Sequence, residues 1–352
     1  MNKLRYILLA TLICFVLFLI YKLTILEHAV HKLENTTEKQ LHTLGLNVKD
    51  FGAKGDYNFD KNQGTDDTLA IKKAIREAKL RKINKIIFPS GNYLITDTLP
   101  VSKKGNSLGV IIEGVSPEST TIVSGLNSSK PLFSFEKTRN NIEGWDEPWS
   151  NAGLKNLRIQ AKERELGTGI YIDGCVFCQF ENVRITNMKY GIWLHNNELN
   201  SYTEANIFQN LRLDFNKNAI RIQQGKGNQS FHGNIFEHIF INVKPGQVGL
   251  NLVSGYLYNS RFDLIMWGQK NTNGTQPTNS NRPVYVNADG IGENNVGNIT
   301  VESYGESILT GKGKFQWAGT LTGIGGQDQE IVYKDYSKEG FSCDNCKRII
   351  KR

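Results

Sequence analysis

The 352-residue sequence lacks blocks of like charge, although its composition is basic. Lys and Arg outnumber Asp and Glu by 42 to 34, yet no run of five or six like charges occurs. A dense basic helix for nucleic acid is therefore not indicated, and we expect no nucleic-acid partner. Positive charge spread over the surface favours anionic sugars or a membrane surface instead. A hydrophobic content of 39% excludes a disordered chain.

Proline is also scarce, with 8 residues against 34 glycines. The sequence contains 17 Phe, and Ile-x-Ile or Val-x-Ile doublets recur along it. Aromatic and β-branched residues separated by polar turn residues are typical of strands. The composition therefore predicts many short strands joined by tight turns rather than a helical protein.

The N-terminal region lacks the small-x-small sequence at which a signal peptide would be cleaved. Lys3 and Arg5 precede the uncharged run YILLATLICFVLFLIY (residues 6–21), and Lys22 follows it. This run predicts an uncleaved transmembrane signal-anchor over residues 1–25 rather than a cleaved signal. The basic residues before it place the rest of the chain outside the cytoplasm, in the periplasm or at the cell surface.

Residues 26–45 are predicted to form a helical stalk or linker. Spacings of four and three residues alternate between six positions, which are Leu26, Val30, Leu33, Thr37, Gln40 and Leu44. Two of the six are polar and the pattern covers fewer than three heptads, so a short stalk is a better interpretation than a stable coiled coil. Self-association into a homo-oligomer is a secondary hypothesis.

A repeat occupies the middle of the chain. Its first phrase occurs as LKNLRI (154–159), FENVRI (180–185), FQNLRL (208–213) and FEHIFI (236–241). Its second phrase follows as GIYID (169–173), GIWLH (191–195), AIRIQ (219–223) and GLNLV (249–253). Steps of 26, 28 and 28 residues separate the first phrases. Units of two or three strands bury their apolar sides only by stacking, which predicts an all-β, single-stranded, right-handed parallel β-helix.

The β-helix is expected to span residues 46–335, with a basic C-terminal tail at 336–352. Side chains alternate along a strand, so residues between the apolar positions form columns on its outer surface. The first phrases give Arg158, Arg184, Arg212 and Phe240 beside Gln160, Thr186, Asp214 and Asn242. The second phrases give Tyr171, Trp193, Arg221 and Asn251 beside Asp173, His195, Gln223 and Val253. An arginine column is often only a solvated surface, whereas aligned aromatic and polar groups suit a sugar-binding groove.

The segments VKDFGAKGD, GTDDTLAIKKAI and KIIFPSGNYLIT, within residues 46–125, resemble the N-terminal part of the pectate-lyase-like β-helix superfamily, which includes rhamnogalacturonase or epimerase-like proteins. The resemblance implies the β-helix fold and an activity on saccharides. The sequence departs from the catalytic motifs of two groups in this superfamily, so their mechanisms are not carried over to this chain. The polygalacturonase pattern of Asn-Thr-Asp, Asp-Asp, Gly-His-Gly and Arg-Ile-Lys is not met, and the Asp-Pro-His element of mannuronan epimerases is absent.

The same N-terminal segment predicts a helix that covers the first coil. Asp66 or Asp67 is suited to cap this helix, whose apolar face consists of Leu69, Ile71, Ala74, Ile75 and Ala78. A Ca²⁺ site built from Asp56, Asp60, Asp66 and Asp67 is a minor alternative, because their spacing matches no EF-hand loop. No other cofactor is expected.

Two polar insertions, residues 196–206 and 224–234, follow the second phrases on one flank of the solenoid. Insertions on one flank usually build a binding site. We expect substrate to contact Tyr171, Trp193, His195, Arg221, Arg212, Tyr202 and Lys226.

Two chemistries fit this group of residues. A lyase acting on a uronic acid needs a cation, for which Arg221 or Lys226 is suited, and a base, for which His232 or Tyr202 is suited. A hydrolase needs two carboxylates, and the candidates are Glu204 with Asp173, Asp214 or Glu198. Both alternatives stay open, and the candidate catalytic residues are Glu204, His232, Asp214 and Asp173.

The cysteine pairs CVFC (175, 178) and CDNC (343, 346) have a spacing found in zinc sites. A zinc site is the weaker interpretation. Buried thiols at a corner of the solenoid are expected for the first pair, and a local disulfide for the second. In function, the sequence predicts a protein that binds and cleaves or modifies a polysaccharide; the alternative is a non-catalytic glycan-binding scaffold or a tailspike-like adhesin.

Overall fold

The computed structural model describes residues 13, 15–33, 45–102, 109–136, 151–197, 202–226, 230–268 and 283–302. It also describes the backbone of five short strands between residues 309 and 351. The chain separates into two compact units, Met1–Gly45 and Leu46–Arg352.

In the first unit, the described residues form helix α1 (residues 15–33). Lys22, Glu27 and Lys32 interrupt its apolar sequence. No helix in the part of the chain that the structure describes is both long enough and apolar enough to cross a bilayer. The prediction of a transmembrane signal-anchor, and of a single-pass membrane location, is therefore wrong. Most of the predicted stalk lies outside the described residues, so the stalk and its self-association stay predictions.

The second unit is a stack of coils whose strands pair in parallel, the arrangement of a parallel β-helix. We name its strand rows A, B and C. Row A contains β1 (Leu46–Asn47), β2 (Lys85–Phe88), β3 (Gly91–Ile95), β5 (Ile111–Gly114), β6 (Thr120–Ser124), β8 (Gly153–Ala161), β10 (Gln179–Thr186), β12 (Ile207–Gln209), β13 (Arg212–Asp214), β16 (Ile235–Val243), β19 (Arg261–Gly268), β21 (Ile291–Glu302), β23 (Phe315–Ile324) and β25 (Ser342–Cys343).

Row B contains β4 (Leu99–Ser102), β7 (Pro131–Glu136), β9 (Leu166–Asp173), β11 (Met188–Asn196), β14 (Asn218–Gln224), β17 (Val248–Leu252), β20 (Val284–Ala288), β22 (Leu309–Thr310), β24 (Ile331–Lys334) and β26 (Ile349–Lys351). Row C is short and contains β15 (Ser230–His232), β18 (Tyr256–Tyr258) and the start of β21. Row C also includes the isolated parallel bridge between Val176 and Glu204, because the Ala205 backbone N–H beside this bridge donates to the His232 carbonyl of β15 at 2.9 Å.

The pairing register follows the repeat seen in the sequence. Successive row A strands align Leu154, Phe180, Phe208 and Phe236. The residue two places later in each unit has a left-handed backbone: Asn156, Asn182, Asn210 and His238 have φ between 52° and 55°. Asn tolerates this conformation better than most residues, which explains why three of the four phrases carry Asn there. The predicted architecture of stacked parallel coils is confirmed, while the handedness of the coil stays a prediction.

Stacked aromatic rings run through the core beneath row A. Phe180, Phe208, Phe236 and Phe262 stack with centroid distances of 5.0, 4.6 and 4.8 Å. Val183 and Ile185 are also buried, so the intervening Arg184 points outward as predicted. This alternation turns the outer residues of consecutive coils into straight columns.

Helix α2 (Thr68–Leu80) packs near the first coil and follows the 3₁₀ helix η1 (Val48–Phe51). Asp66, rather than Asp67, accepts a hydrogen bond from the Thr68 backbone N–H, at 3.0 Å. The Asp67 carboxylate instead accepts from the backbone N–H groups of Lys54 and Gly55. Leu69 was expected on the buried face of this helix but is 80% exposed, because the buried stripe begins with Thr68 and continues at Ile71.

Candidate functional site

The aromatic residues of row B form one column across neighbouring coils. The register aligns Tyr171 with Trp193 and Trp193 with Arg221. The ring centroids of Tyr171 and Trp193 lie 5.3 Å apart, and the Arg221 guanidinium lies 5.7 Å from the Trp193 ring. Tyr190, which the sequence reasoning missed, adds a ring 5.0 Å from Trp193. The column is therefore a packed aromatic and cationic surface rather than a set of isolated exposed rings.

A hydrogen-bonded chain runs beside this column. The Tyr171 hydroxyl donates to Asp173 Oδ2 at 3.1 Å and lies 2.9 Å from His195 Nδ1. Because the hydroxyl has one proton and Asp173 accepts it, we assign the proton of His195 to Nδ1. Burial, and secondly the charge of Arg221, lower the pKa of His195 from 6.5 to about 4. His195 is therefore neutral near pH 7.

The loop after β14 approaches His195 closely. A Cβ atom placed on Gly225 would lie 2.7 Å from His195 Nε2, and the Gly225 backbone N–H donates to the Asn196 carbonyl at 3.0 Å. Lys226 follows and is exposed. The contact explains the burial of the imidazole and the need for glycine at this position.

Row C holds the candidate acid–base pair. Glu204 is half-buried and accepts a hydrogen bond from Ser230 Oγ at 2.7 Å. Burial raises the pKa of Glu204, while the Ser230 hydrogen bond and the charge of His232 oppose this effect. The His232 ring stacks on Tyr258 with a centroid distance of 4.5 Å, and its Nε2 lies 3.1 Å from Asn259 Nδ2. A carboxyl group whose pKa is raised by burial beside an imidazole is suited to proton transfer.

The same row continues with residues that the sequence reasoning missed. Tyr256 donates a hydrogen bond to Glu293, and its ring contacts Tyr258 with a centroid distance of 5.4 Å. The hydrogen bond to Glu293 and burial raise the pKa of Tyr256. The alternating segments SFH (230–232) and YLY (256–258), 26 residues apart, are the sequence pattern that could have revealed row C. Strands of three residues are difficult to recognise in a sequence.

Asp214 lies in row A and is fully occupied by protein donors. Arg184 donates to its Oδ2 from Nε at 2.8 Å, and Arg212 Nε lies 2.9 and 3.0 Å from the two carboxylate oxygens. Asn242 also donates to Oδ1. The carboxylate has no exposed surface. A catalytic role for Asp214 stays a prediction, and its contacts favour a role in positioning the two arginines.

The predicted catalytic residues do not share one strand row. Glu204 and His232 lie in row C, Asp173 lies in row B and Asp214 lies in row A. Tyr202 precedes Glu204 and is 45% exposed. Glu198 lies outside the described residues. The structure therefore brings together Glu204 with His232, and separately Tyr171, Asp173, Trp193, His195 and Arg221.

Cys175 and Cys178 form a disulfide across the turn that contains Val176, between β9 of row B and β10 of row A. The expectation of two buried free thiols is corrected, because the turn places the two sulfur atoms within bonding distance. Among the described residues, no group of three or more His, Cys, Asp or Glu side chains is arranged to hold a metal ion. The side chains of the second cysteine pair lie outside the described residues.

Comparison with known sequences identifies the family. Residues 45–308 match the sequence profile described as rhamnogalacturonase A/epimerase, pectate lyase-like. The chain belongs to this family. The chain is also 33% identical over 294 residues to the K3-specific capsule depolymerase 1 of Klebsiella phage KP32. The alignment covers 78% of this chain but only 31% of the phage protein.

Two solved structures that match this chain are distant from it in sequence. The ORF18 protein of Geobacillus virus E2 has a TM-score of 0.42 and 14% identity, and the match covers 92% of this chain and 64% of that one. The Agl-KA catalytic domain has a TM-score of 0.45 and 12% identity, with 88% and 57% covered.

Proposed function

We propose that this protein binds a polysaccharide and cleaves it in row C, with Glu204 as the proton donor and His232 as the base. The observation that carries the proposal is the half-buried Glu204, whose pKa is raised by burial beside His232. Membership of a family described as pectate lyase-like, and similarity to a phage capsule depolymerase, support a polysaccharide as the substrate.

The geometry of row C favours elimination over hydrolysis. Glycoside hydrolases use two carboxylates about 5–9.5 Å apart. Glu293 is the other carboxylate of row C among the described residues, and it lies three strands from Glu204, or about 14 Å at a strand spacing of ~4.8 Å. A β-elimination requires one base and one acid, which His232 and Glu204 supply.

The proposed step starts with a uronate residue beside His232. His232 takes the C5 proton of the sugar, and the electron pair forms a C4–C5 double bond as the bond from C4 to the bridging oxygen breaks. The leaving oxygen takes the proton of neutral Glu204. The products are an unsaturated uronate and a new chain end. Row B, with Trp193 and Arg221, offers a separate surface on which the sugar chain binds.

The experiment uses the purified full chain with a panel of uronate-containing and neutral polysaccharides. Ultraviolet absorbance of the unsaturated product and new reducing ends are followed together. Elimination raises both signals, whereas hydrolysis raises reducing ends alone. Glu204→Gln keeps the shape of the side chain but cannot donate the proton, so we expect activity to fall by about a hundredfold or more.

Glu165→Gln is the matched control, because Glu165 is exposed and lies away from row C. Full activity in Glu204→Gln would overturn the assignment. If no polysaccharide gives either signal while glycan binding is measurable, the chain is a non-catalytic glycan-binding scaffold instead.

A further inference from the structure

Three arginines form a straight column on the outside of row A. The register aligns Arg158 with Arg184 and Arg184 with Arg212. Consecutive positions are one strand spacing apart, about 4.8 Å, so the outer two backbones are about 10 Å apart. We call these three residues the arginine strip. Like charges at this spacing repel each other unless anions lie between them.

Among the described residues, the carboxylates that act on the three arginines are Asp214 and Glu118, fewer than the arginines themselves. Asp214 is fully buried between Arg184 and Arg212, whose side chains are 29% and 51% exposed. The Asp214 carboxylate therefore forms ion pairs with two guanidinium groups. Arg158 adds a third guanidinium group to the strip. This arrangement leaves a net positive charge at the surface of row A.

Arg158 shows the imbalance most clearly. Its Nε is buried and has no hydrogen-bond partner among the described residues. Burial, and secondly the neighbouring Arg184, lower the pKa of Arg158, while the charges of Glu118 and Asp214 partly offset the effect. A buried guanidinium nitrogen without a partner is costly, and the neighbouring positive charge of Arg184 adds to this cost.

The column continues into apolar rings at its other end. The Arg212 guanidinium lies 5.5 Å from the Phe240 ring, and Phe240 contacts Trp267 with a centroid distance of 4.5 Å. Trp267 is 41% exposed. A line of cations that ends on exposed aromatic rings matches a chain that carries carboxylates on sugar rings, because guanidinium groups bind carboxylates and aromatic faces stack on sugars.

We infer that the arginine strip binds the carboxylates of an acidic polysaccharide, with Phe240 and Trp267 contacting its sugar rings. This inference rests on the proposed function in taking a uronate-containing polysaccharide as the ligand, and it adds a separate surface in row A that binds the carboxylates of that chain. Asp214 acts as a positioning residue that holds two of the guanidinium groups. The strip lies in a different strand row from Glu204, so binding and cleavage can be measured separately.

The test measures binding of the full chain to oligogalacturonate by calorimetry, with dextran as the neutral probe. Arg158→Gln removes one guanidinium without breaking a hydrogen bond to a described residue. We expect its dissociation constant for oligogalacturonate to rise about tenfold, the effect of one charge-assisted hydrogen bond. Binding weakens as salt is added. Arg76→Gln, on the exposed surface of α2, is the matched control and leaves binding unchanged.

Arg212→Gln provides a second variant if Arg158→Gln fails to fold. Arg212 is chosen because it is more exposed than Arg184, the other arginine that pairs with Asp214. Equal affinity of the folded variant and the original chain for oligogalacturonate overturns the inference. Tighter binding of single-stranded DNA, or equally tight binding of inorganic phosphate, also overturns it, in favour of a nucleic-acid or free-anion site.

Cleavage assays on the same proteins separate this inference from the proposed function. If oligogalacturonate binds in an Arg158-dependent way but no polysaccharide is cleaved, the cleavage proposal fails and the inference stands. If cleavage requires Glu204 but Arg158→Gln binds oligogalacturonate normally, the inference fails and the cleavage proposal stands.

Discussion

Glu204 and Asp214 belong to the same coil but have opposite surroundings. The Asp214 carboxylate is fully buried and accepts hydrogen bonds from two arginines and Asn242. Glu204 is half-buried, accepts a hydrogen bond from Ser230 and has a raised pKa. A carboxylate whose oxygens are all occupied by protein donors is suited to hold its neighbours in place, whereas burial raises the pKa of Glu204, which has one hydroxyl donor. The comparison favours a positioning role for Asp214 and agrees with the proposed role of Glu204 as a proton donor.

The largest effect is expected at Asp214. Asp214→Ala leaves Arg184 and Arg212 facing each other with partial burial, so the free energy of unfolding should fall by about 2–4 kcal/mol. Urea unfolding of the full chain measures it. Asp97→Ala removes an exposed carboxylate paired with Lys72 and should cost about 1 kcal/mol or less. Equal losses in the two variants would contradict the structural role of Asp214.

The pH dependence of stability tests whether His195, in the packed column of row B, is buried in its neutral form. Its folded pKa of about 4 lies below the ordinary value of 6.5, so folding favours the neutral form. The stabilisation is fully present above pH 6.5 and is lost as the pH falls towards 4. After allowance for screening by solvent, the expected loss is about 2 kcal/mol.

The measurement for His195 is urea unfolding at several values between pH 7 and pH 4. Other groups also titrate in this range, so the comparison is with His195→Gln, which lacks the imidazole. The variant should lose less stability than the original chain over the same range. An identical slope in both proteins would show that His195 is not buried in its neutral form.

The smallest effect on stability is expected at Ser230. Ser230→Ala removes the hydrogen bond that opposes the raised pKa of Glu204, so that pKa should rise further. Loss of one neutral hydrogen bond costs about 1 kcal/mol. The pH at which activity declines on the alkaline side should move upward, because Glu204 keeps its proton longer.

A pH–activity profile of Ser230→Ala checks this shift, and Ser116→Ala is the control at a serine far from row C in the sequence. If the profile stays in place or moves to lower pH, deprotonation of Glu204 does not cause the loss of activity at alkaline pH. Glu204 would then not be the proton donor, and its contrast with Asp214 would have no functional meaning.

Much of the fold was predictable because it repeats. The step of 26 to 28 residues and the alternation within FENVRI and GIWLH predicted the strand rows, the buried Val183 and Ile185 and the outer columns. The short strands of row C were missed, since three residues carry little periodic signal. The apolar run at the N-terminus led to a wrong prediction of a membrane span, because length and charge within the helix decide that question.

The candidate site was predictable only in part. Sequence alternation placed Tyr171, Trp193 and Arg221 in one column, and the pairing register confirms that they lie on neighbouring strands. Sequence reasoning also grouped Glu204 with Asp173 and Asp214 as partners, but the three residues lie in different rows. The local pattern does not distinguish Asp214 from Glu204, because contacts that separate them come from residues in other coils, such as Arg184 for Asp214 and Ser230 for Glu204.

Periodicity along the chain was thus sufficient for the stacked parallel coils and the identity of the outward residues, since side-chain alternation is a local property of every strand. The family followed from the resemblance of the segments within residues 46–125. The folded chain was needed to show which outward residues meet across coils. Pairing of strands some 28 residues apart surrounds Asp214 with arginines and leaves Glu204 with Ser230 and His232. The burial of Glu204 and its contacts with Ser230 and His232 arise from residues distant in sequence, and these surroundings shift its pKa.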